Sequence, residues 1–498
     1  MAKKGADAAV RKLGRFWLIF LALAALLLVL AAACGGGEEE KGTPTATRTA
    51  AATATRTAAA TATRTAAATA TLTPTAIATP TATPTAIATM APTVPPTAEA
   101  TVTPAETSTP FFDDPVPGIS DTEIVLGSHF AQTGTYGAAF APVLAGMKAY
   151  FNYVNAEKGG VCGRQIVLKV EDDAYDPANS PAAVRKLVEQ DEVFAIIAGL
   201  GTAAHSAVWE YLNKGIPDLW IMSGAHMWAA TPEEHPWSVG FLPDYYVEGT
   251  IFGKYISQNL PGKKVGVLHQ NDGFGQDELA GVKNGLDPTK NELVSEQSYE
   301  PTDVDIRSQV TNLKNDGAEV VVGACLPGHC AQAIKMSHQL DWDVQFFLNY
   351  GIADFTPFVY GGSAEWGGKE MEGVITTDTH KLYYWTEDPA IAEHHRIMKE
   401  YPYMAPDNGT ILGQLVGELT VEALSRACAN NNLTRQGLMD AVHSFQNYQS
   451  DLMLPGITIT LSPTDHLAIE AMRMMRATVT PEGKGKWEYF GDPIPFRD

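Results

Sequence analysis

The sequence predicts an α/β protein of two lobes, each a doubly wound parallel sheet covered by helices on both faces, joined by a hinge. Two observations carry this. From Glu123 onward, short runs rich in Val, Ile and Leu alternate with amphipathic stretches of helical length, the rhythm of buried parallel strands and their crossover helices. That rhythm stops at the segment PWSVGFLPD and then begins again, which makes two sets of βα units.

In the first set, EIVLGSHF, RQIVLKVEDD, VFAIIAGLG and IPDLWIMSG read as strands bounded by Gly, Pro or Asp. The helices between them are expected over about 138–157, 177–190 and 203–214. The second set opens with a helix over 245–258. Strands KKVGVLHQ, NELVSEQSY, AEVVVGACL and DVQFFLNY then alternate with helices over 275–285, 304–315 and 328–339. After Gly373 come a short strand, VITTD, and three helices, over 388–400, 408–428 and 434–445. Those late helices need a sheet to cover and are assigned to the first lobe, with the strand-rich tail returning to the second. The expected boundaries are 119–240 with 377–450 for lobe 1, and 241–376 with 451–498 for lobe 2.

Ahead of the lobes the chain is of another kind. Lys3, Lys4, Arg11, Lys12 and Arg15 precede an apolar run, Phe16–Ala33, that ends in Ala31-Ala32-Ala33-Cys34. This is the layout of an export signal with a small-residue cleavage site, here 1–34, leaving Cys34 as the lipid-bearing residue. Leu30 stands one position early for the usual lipobox. A retained membrane span is the alternative, because the run is near the lower length limit for crossing a bilayer. Residues 35–118 follow as a disordered Thr/Ala/Pro-rich stalk, with TATRTAAA repeated from Thr45, Thr53 and Thr61. Such a segment has too little apolar surface to offset the entropy of ordering.

Composition narrows the function. The formal charge of -22, with 57 acidic against 35 basic residues, argues against nucleic acid or an anionic membrane surface as partner of the lobes. Beyond Cys34 there are Cys162, Cys325, Cys330 and Cys428, which permit two disulfides in three connectivities. The short Cys325 to Cys330 spacing suits a small loop, and no Cys/His pattern has the spacing of a zinc site. No H-E-x-x-H, G-x-S-x-G or P-loop is present, so neither an enzyme nor a cofactor is expected. Gly199-x-Gly201-x-x-Ala204 has the form of a dinucleotide fingerprint. It lies in the third βα unit, however, and Asp218 begins its strand where a ribose partner would end one. His394-His395 falls on a charged helix face, where a solvated role is expected. Asp172-Asp173 is expected to serve a turn, since adjacent residues of an extended segment point to opposite sides.

In open parallel sheets ligands bind beyond the carboxyl ends of the strands. Here those ends are SHFAQTGTYG, AGLGTAAHS, MSGAHMW, HQNDGFGQD, CLPGHC and NYGIAD, rich in Gly, hydroxyl and aromatic residues. These loops suit a small molecule held in a cleft that closes about the hinge.

The motifs TEIVLGSHFAQTGTYG, GGVCGRQIVLKVEDDAYDP, SGAHMW, PWSVGFLPDYYVEG, LHQNDGFGQD and LPGITITLSPTD resemble, in sequence and order, the type I periplasmic solute-binding proteins of branched-chain amino acid ABC importers. The resemblance runs from about Thr122 to the C terminus. It implies a Venus-flytrap fold that holds ligand between its lobes and hands it to a membrane permease. Residue by residue, it brings Thr133 and Tyr136 to the cleft from the first loop. Gly201 and Thr202 come at a helix start, where backbone N-H groups and the hydroxyl would hold a carboxylate. Ser223, Gly224, Ala225 and His226 come from the next loop, and Tyr245, Phe274 and Tyr350 from the second lobe. Tyr350 stands where the resemblance implies an acid to pair an α-ammonium. Asp244, Asp272 or Asp354 would have to substitute, or the ligand is no α-amino acid. A ligand-binding sensor for a signalling receptor is the alternative use of the same architecture.

Overall fold

The computed structural model describes residues 116–352, 369–479 and 485–496. The signal-like segment, Cys34, the stalk as far as residue 115 and Asp354 lie outside them, whereas Val116 to Gly118, expected to end the stalk, belong to the first lobe, Val116 packing on its core and the Gly118 carbonyl accepting from the Val125 N-H at 2.7 Å.

The first lobe is built on β1 (Glu123–Phe130), β2 (Gln165–Asp172), β3 (Ala195–Ile197), β4 (Asp218–Ile221) and β5 (Ser238–Gly240). They form one five-stranded sheet in the order β2-β1-β3-β4-β5, with every pair parallel. Every residue of β3 and β4 is buried, as a sheet covered on both faces requires. Helices α1 (Gly134–Lys158), α2 (Ser180–Arg185), α3 (Thr202–Ser206), α4 (Trp209–Leu212) and α5 (Met227–Ala230) connect these strands. The helix expected over 203–214 is therefore two short ones, broken at Ala207–Val208, and PWSVGFLPD contributes a fifth strand that its composition did not mark.

The chain crosses to the second lobe into α6 (Tyr245–Asn259), followed by β6 (Lys264–Gln270), α7 (Gly273–Gly285), β7 (Glu292–Tyr299), α8 (Arg307–Asn315), β8 (Val320–Ala324), α9 (Pro327–Gln339), β9 (Gln345–Leu348) and β10 (Ile375–Asp378). Asp244 caps α6 by accepting from the backbone N-H groups of Tyr246 and Val247, and Asp272 caps α7 through Gly275. Each cap satisfies donors that a helix start leaves open. After β10 the chain returns to the first lobe through α10 (Pro389–Glu400), α11 (Asn408–Ala429) and α12 (Arg435–His443). α11 begins in a capping box between Asp407 and Thr410 and packs along α1. A Cβ on Gly146 would lie 2.0 Å from the Thr410 carbonyl oxygen, and one on Gly413 1.9 Å from that of Val143, so glycine on each helix permits this approach. The Cys162–Cys428 disulfide ties the far ends of the two helices, with Cα atoms 6.4 Å apart. A second disulfide joins Cys325 to Cys330.

The return to the second lobe falls later than residue 451. Leu452, Met453, Leu454, Ile457, Ile459 and Leu461 are buried in the first lobe's core, and the chain rejoins the second sheet only at β11 (Ala471–Val479). With β12 (Gly485–Tyr489) and β13 (Ile494–Pro495), that sheet has eight strands. Its main order is β12-β11-β10-β9-β8-β6-β7, with β13 on β11. The strands β6 to β10 pair in parallel, and the tail adds antiparallel edges.

His394 does not sit on a solvated helix face. It is fully buried, bonded to Gln414 at 2.7 Å and Thr410 at 2.9 Å, because α10 turns this side toward α11. Burial pushes its imidazole down to about 4. Among the described residues, no helix is long and apolar enough to cross a membrane.

Candidate functional site

The strand ends of the two sheets face each other across a small cavity of about 60 Å³, room for several water-sized groups. Its first-lobe wall includes Phe140, Tyr175, Leu200, Gly201, Thr202 and Met222, and its second-lobe wall Tyr245, Phe274, Leu326, Asn349, Tyr350 and Ile352. Five of the residues singled out from the sequence thus meet here: Gly201, Thr202, Tyr245, Phe274 and Tyr350.

Gly201 is required by geometry twice over. Its φ is +89°, a conformation that costs any residue with a Cβ, and a Cβ there would lie 2.5 Å from the Tyr175 ring. Thr202 follows as the first residue of α3, nearly fully buried. That helix has five residues, so its dipole is slight, and the hydroxyl is the better-defined donor. The proton count shows this. Ser223 Oγ accepts from Trp228 Nε1 at 2.9 Å and from the Ala225 N-H at 3.2 Å, which occupies both of its lone pairs. Its own proton therefore goes to Thr202 Oγ1, 2.7 Å away. The Thr202 proton is left to donate elsewhere, with no acceptor for it among the described residues. Ser223 and Ala225 thus act on the cavity through Thr202.

On the second-lobe wall, the Tyr245 and Phe274 rings meet with centroids 4.6 Å apart at 51°, a tilted contact typical of aromatic pairs. The Tyr350 ring is buried, its hydroxyl 3.0 Å from Thr379 Oγ1 and its N-H donated to Glu248 Oε2 at 2.9 Å. Glu248 is fully buried on α6, also receives the Thr377 hydroxyl, and is pushed up to about 8 by burial. Glu278 on α7 is fully buried too and is raised by burial and by the charge of Glu248.

The remaining candidates lie around the cavity. Tyr136 bridges the lobes instead, donating from its hydroxyl to the Pro301 carbonyl at 2.6 Å. Burial and nearby Asp303 push its hydroxyl up to about 12. Thr133 is exposed and engaged with Asp172, which also accepts from the N-H groups of Gln132 and Ala174. Gly224 is a packing position, since a Cβ there would lie 2.0 Å from the Pro243 carbonyl oxygen. His226 is half exposed and pairs with Asp244 at 2.6 Å, a bond that raises its pKa. Its N-H reaches Asp277 of the other lobe at 2.8 Å.

Two features were missed from the sequence. Tyr175, in the loop after β2, stacks on Phe140 with centroids 5.9 Å apart and forms the cavity floor beside Gly201. Beneath that floor runs a fully buried chain from Asp173 to His129 (2.9 Å), from His129 to His205 (2.9 Å) and from His205 to Asp218 (2.8 Å). Gly199 covers the imidazole pair, because a Cβ there would lie 2.4 Å from His205 Nδ1 and 2.5 Å from His129 Nε2. Burial lowers the His129 imidazole, opposed by its bond to Asp173. Asp173 has its partner here and Asp172 has Thr133, so the adjacent carboxylates do serve separate structural ends.

Comparison with known proteins agrees with this architecture. A family model described as periplasmic binding protein matches residues 123–485. An amino acid binding protein of Pseudomonas aeruginosa is 26% identical over 260 residues, which is 51% of this chain and 67% of that protein. The Leu/Ile/Val-binding protein homolog 2 of Brucella abortus is 26% identical over 275 residues, 52% of this chain and 68% of its own. Among solved structures, a branched chain amino acid ABC transporter from Thermus thermophilus with bound valine superposes with a TM-score of 0.66 at 19% identity, covering 76% of this chain and 99% of that one. A fatty acid ABC transporter substrate-binding protein from Thermomonospora curvata gives 0.65 at 22% identity, covering 76% and 94%. On the two parallel-sheet lobes, the cavity between their strand ends and the extent of the family match, this chain belongs to the periplasmic binding proteins, as a type I member related to the Leu/Ile/Val-binding proteins.

Proposed function

We propose that this chain is the extracytoplasmic solute-binding component of an ABC importer, capturing a branched-chain amino acid or a related small carboxylate or amide between its lobes and delivering it to a membrane permease. The observation that carries this is the cavity shared by both lobes, with a buried donor hydroxyl on one wall and an aromatic pair on the other. A ligand held there favours the closed form by as much as it binds that form more tightly than the open one. The relatives support the ligand range, one being named for amino acids and one structure for fatty acids. Under the same reading Cys34 carries the lipid, and residues 35–115 form the leash that keeps the lobes near the permease.

The test is a thermal-shift screen of the purified chain against amino acids, short carboxylates and amides. A true ligand raises the melting temperature in proportion to the logarithm of its concentration over Kd. Gly201→Trp, which fills the cavity beside Tyr175, should abolish the shift. No stabilising compound across the screen, or an unchanged shift in Gly201→Trp, counts against the proposal.

A further inference from the structure

We infer that closing the cleft expels a proton from His329, so that acid opens the lobes. This rests on the proposed reading of the chain as a binding protein that opens and closes, and it concerns the gate and not the ligand.

His329 lies in the first turn of α9 and is 3% exposed. Its Nε2 stands 2.6 Å from the Asp303 carbonyl oxygen. A carbonyl only accepts, so Nε2 carries the proton, and in the neutral ring Nδ1 is a bare lone pair. That Nδ1 is buried with no hydrogen-bond partner among the described residues. A proton added there would make a buried charge with no acceptor, a costly state.

The packing around the ring comes from both lobes. Tyr299 of β7 lies against the imidazole with centroids 4.2 Å apart, and Tyr136 of α1, in the first lobe, stands over it at 6.2 Å. The Tyr136 hydroxyl is fastened to the Pro301 carbonyl. Gln332 of α9 donates to the Val304 carbonyl at 3.0 Å and accepts from the Ile306 N-H at 3.3 Å, so His329 and the loop 300–306 form one unit of the second lobe. Parting the lobes therefore takes Tyr136 away and leaves the bond to Asp303 in place. The imidazole then meets water on the side that Tyr136 had covered.

The groups facing His329 agree with this sign. Burial raises the phenols of Tyr136 and Tyr299, which stay neutral. Asp303 faces the ring from the loop, its carboxylate accepting the Glu300 N-H at 2.9 Å. On the same loop Glu300 accepts from Asn271 and Asp305 pairs with Arg307. The Asp303 charge favours a protonated ring, but burial is the larger effect and lowers the imidazole from its ordinary 6.5 while the lobes are in contact. Closure is thus unopposed above the ordinary value, which the open form regains, and loses ground as pH falls below it.

The test uses the full chain without ligand. Imidazole NMR follows each histidine, and the resonance absent from His329→Gln, whose amide still donates to Asp303, is that of His329. Its titration midpoint is expected below 6.5 in the wild type and should rise toward 6.5 in Tyr136→Ala. Spin labels on one exposed residue of each lobe then report the interlobe distance. The ratio of closed to open form should fall by up to roughly tenfold between pH 7.5 and 5.5, and this response should be lost in His329→Gln. His226, paired with Asp244, contributes equally to both proteins and cancels. A wild-type midpoint at or above 6.5, a midpoint that Tyr136→Ala leaves in place, or the same pH response in His329→Gln overturns the inference. The thermal-shift screen decides the cleft reading separately. A stabilising compound beside a gate blind to pH sinks this inference alone, whereas a working gate with no stabilising compound sinks the importer reading alone.

Discussion

Replacing Glu248 by glutamine tests whether a buried neutral acid joins the hinge helix to the cavity. Burial pushes this carboxyl from an ordinary 4.5 to about 8, so the folded protein holds a proton that the unfolded chain releases. A folded-state pKa raised in this way contributes stability that is full below about 4.5 and lost as pH rises toward 8. The loss is about 1.4 kcal/mol per pH unit for one proton, or about 2 kcal/mol between pH 6.5 and 8. In the folded state His394 is pushed down to about 4 and is neutral throughout that window, while its release of a proton near 6.5 in the unfolded chain is common to both proteins and cancels in the comparison. Glu278, raised in the same direction, adds to the slope. Glutamine is the neutral isostere, with its carbonyl accepting from the Tyr350 N-H and its amide donating to the Thr377 hydroxyl oxygen, which reverses that bond. Wild type has already lost about 3 kcal/mol of this contribution by pH 6.5, so urea denaturation at pH 6.5, 7.2 and 8 should find the variant more stable by about 3 kcal/mol at pH 6.5 and flatter above it, the gap reaching about 4 kcal/mol at pH 8. An unchanged slope, or a variant less stable than wild type at pH 6.5, would refute the assignment of a neutral Glu248.

Two other perturbations probe the frame around the cavity. His205→Ala removes the centre of the Asp173–His129–His205–Asp218 chain and strands buried partners on both sides, so chemical denaturation should show a loss of about 3–5 kcal/mol; a loss under about 1 kcal/mol would mean that the chain is not a coupled unit. Replacing Cys162 and Cys428 by serine opens a cross-link spanning 266 positions and should cost about 4 kcal/mol in equilibrium unfolding. The Cys325–Cys330 pair spans 5 positions, so its removal should cost less, and the reverse ranking would contradict the loop-entropy argument.

Much of the fold was legible because hydrophobic periodicity is local. β1, β6 and β8 stand where their Val- and Ile-rich runs placed them, and the caps at Asp244 and Asp272 follow from residues adjacent in the chain. Gly201, Thr202, Tyr245, Phe274 and Tyr350 reached one cavity because each follows a strand end or begins the helix beyond one. What was hidden depends on partners distant in sequence. His129 and Asp173 are 44 positions apart and His129 and His205 are 76 apart, and nothing in either neighbourhood announces the other. His394 was misread for the same reason, because the helix that buries it comes later in the chain. Thr133 and His226 sit in the expected loops but turn to Asp172 and Asp244, choices made by short-range geometry that residue type alone does not reveal.

The three passages between the lobes carry a mechanical consequence. The chain crosses between β5 and α6, between β10 and α10, and again just before β11. The second passage is stitched to a neighbouring segment by Leu454 N-H to the Thr379 carbonyl and Lys381 N-H to the Leu452 carbonyl, 2.9 and 2.8 Å. A single tether would let the lobes swivel freely, whereas three with lateral bonds behave like the spine of a book and favour rotation about one axis. The Tyr136 hydroxyl on Pro301 and the His226 N-H on Asp277 then act as clasps at the fore-edge. In the proposed capture cycle, opening would break these few bonds while the stitched passage stays intact, so the same two page edges would meet in the same register each time the book shuts.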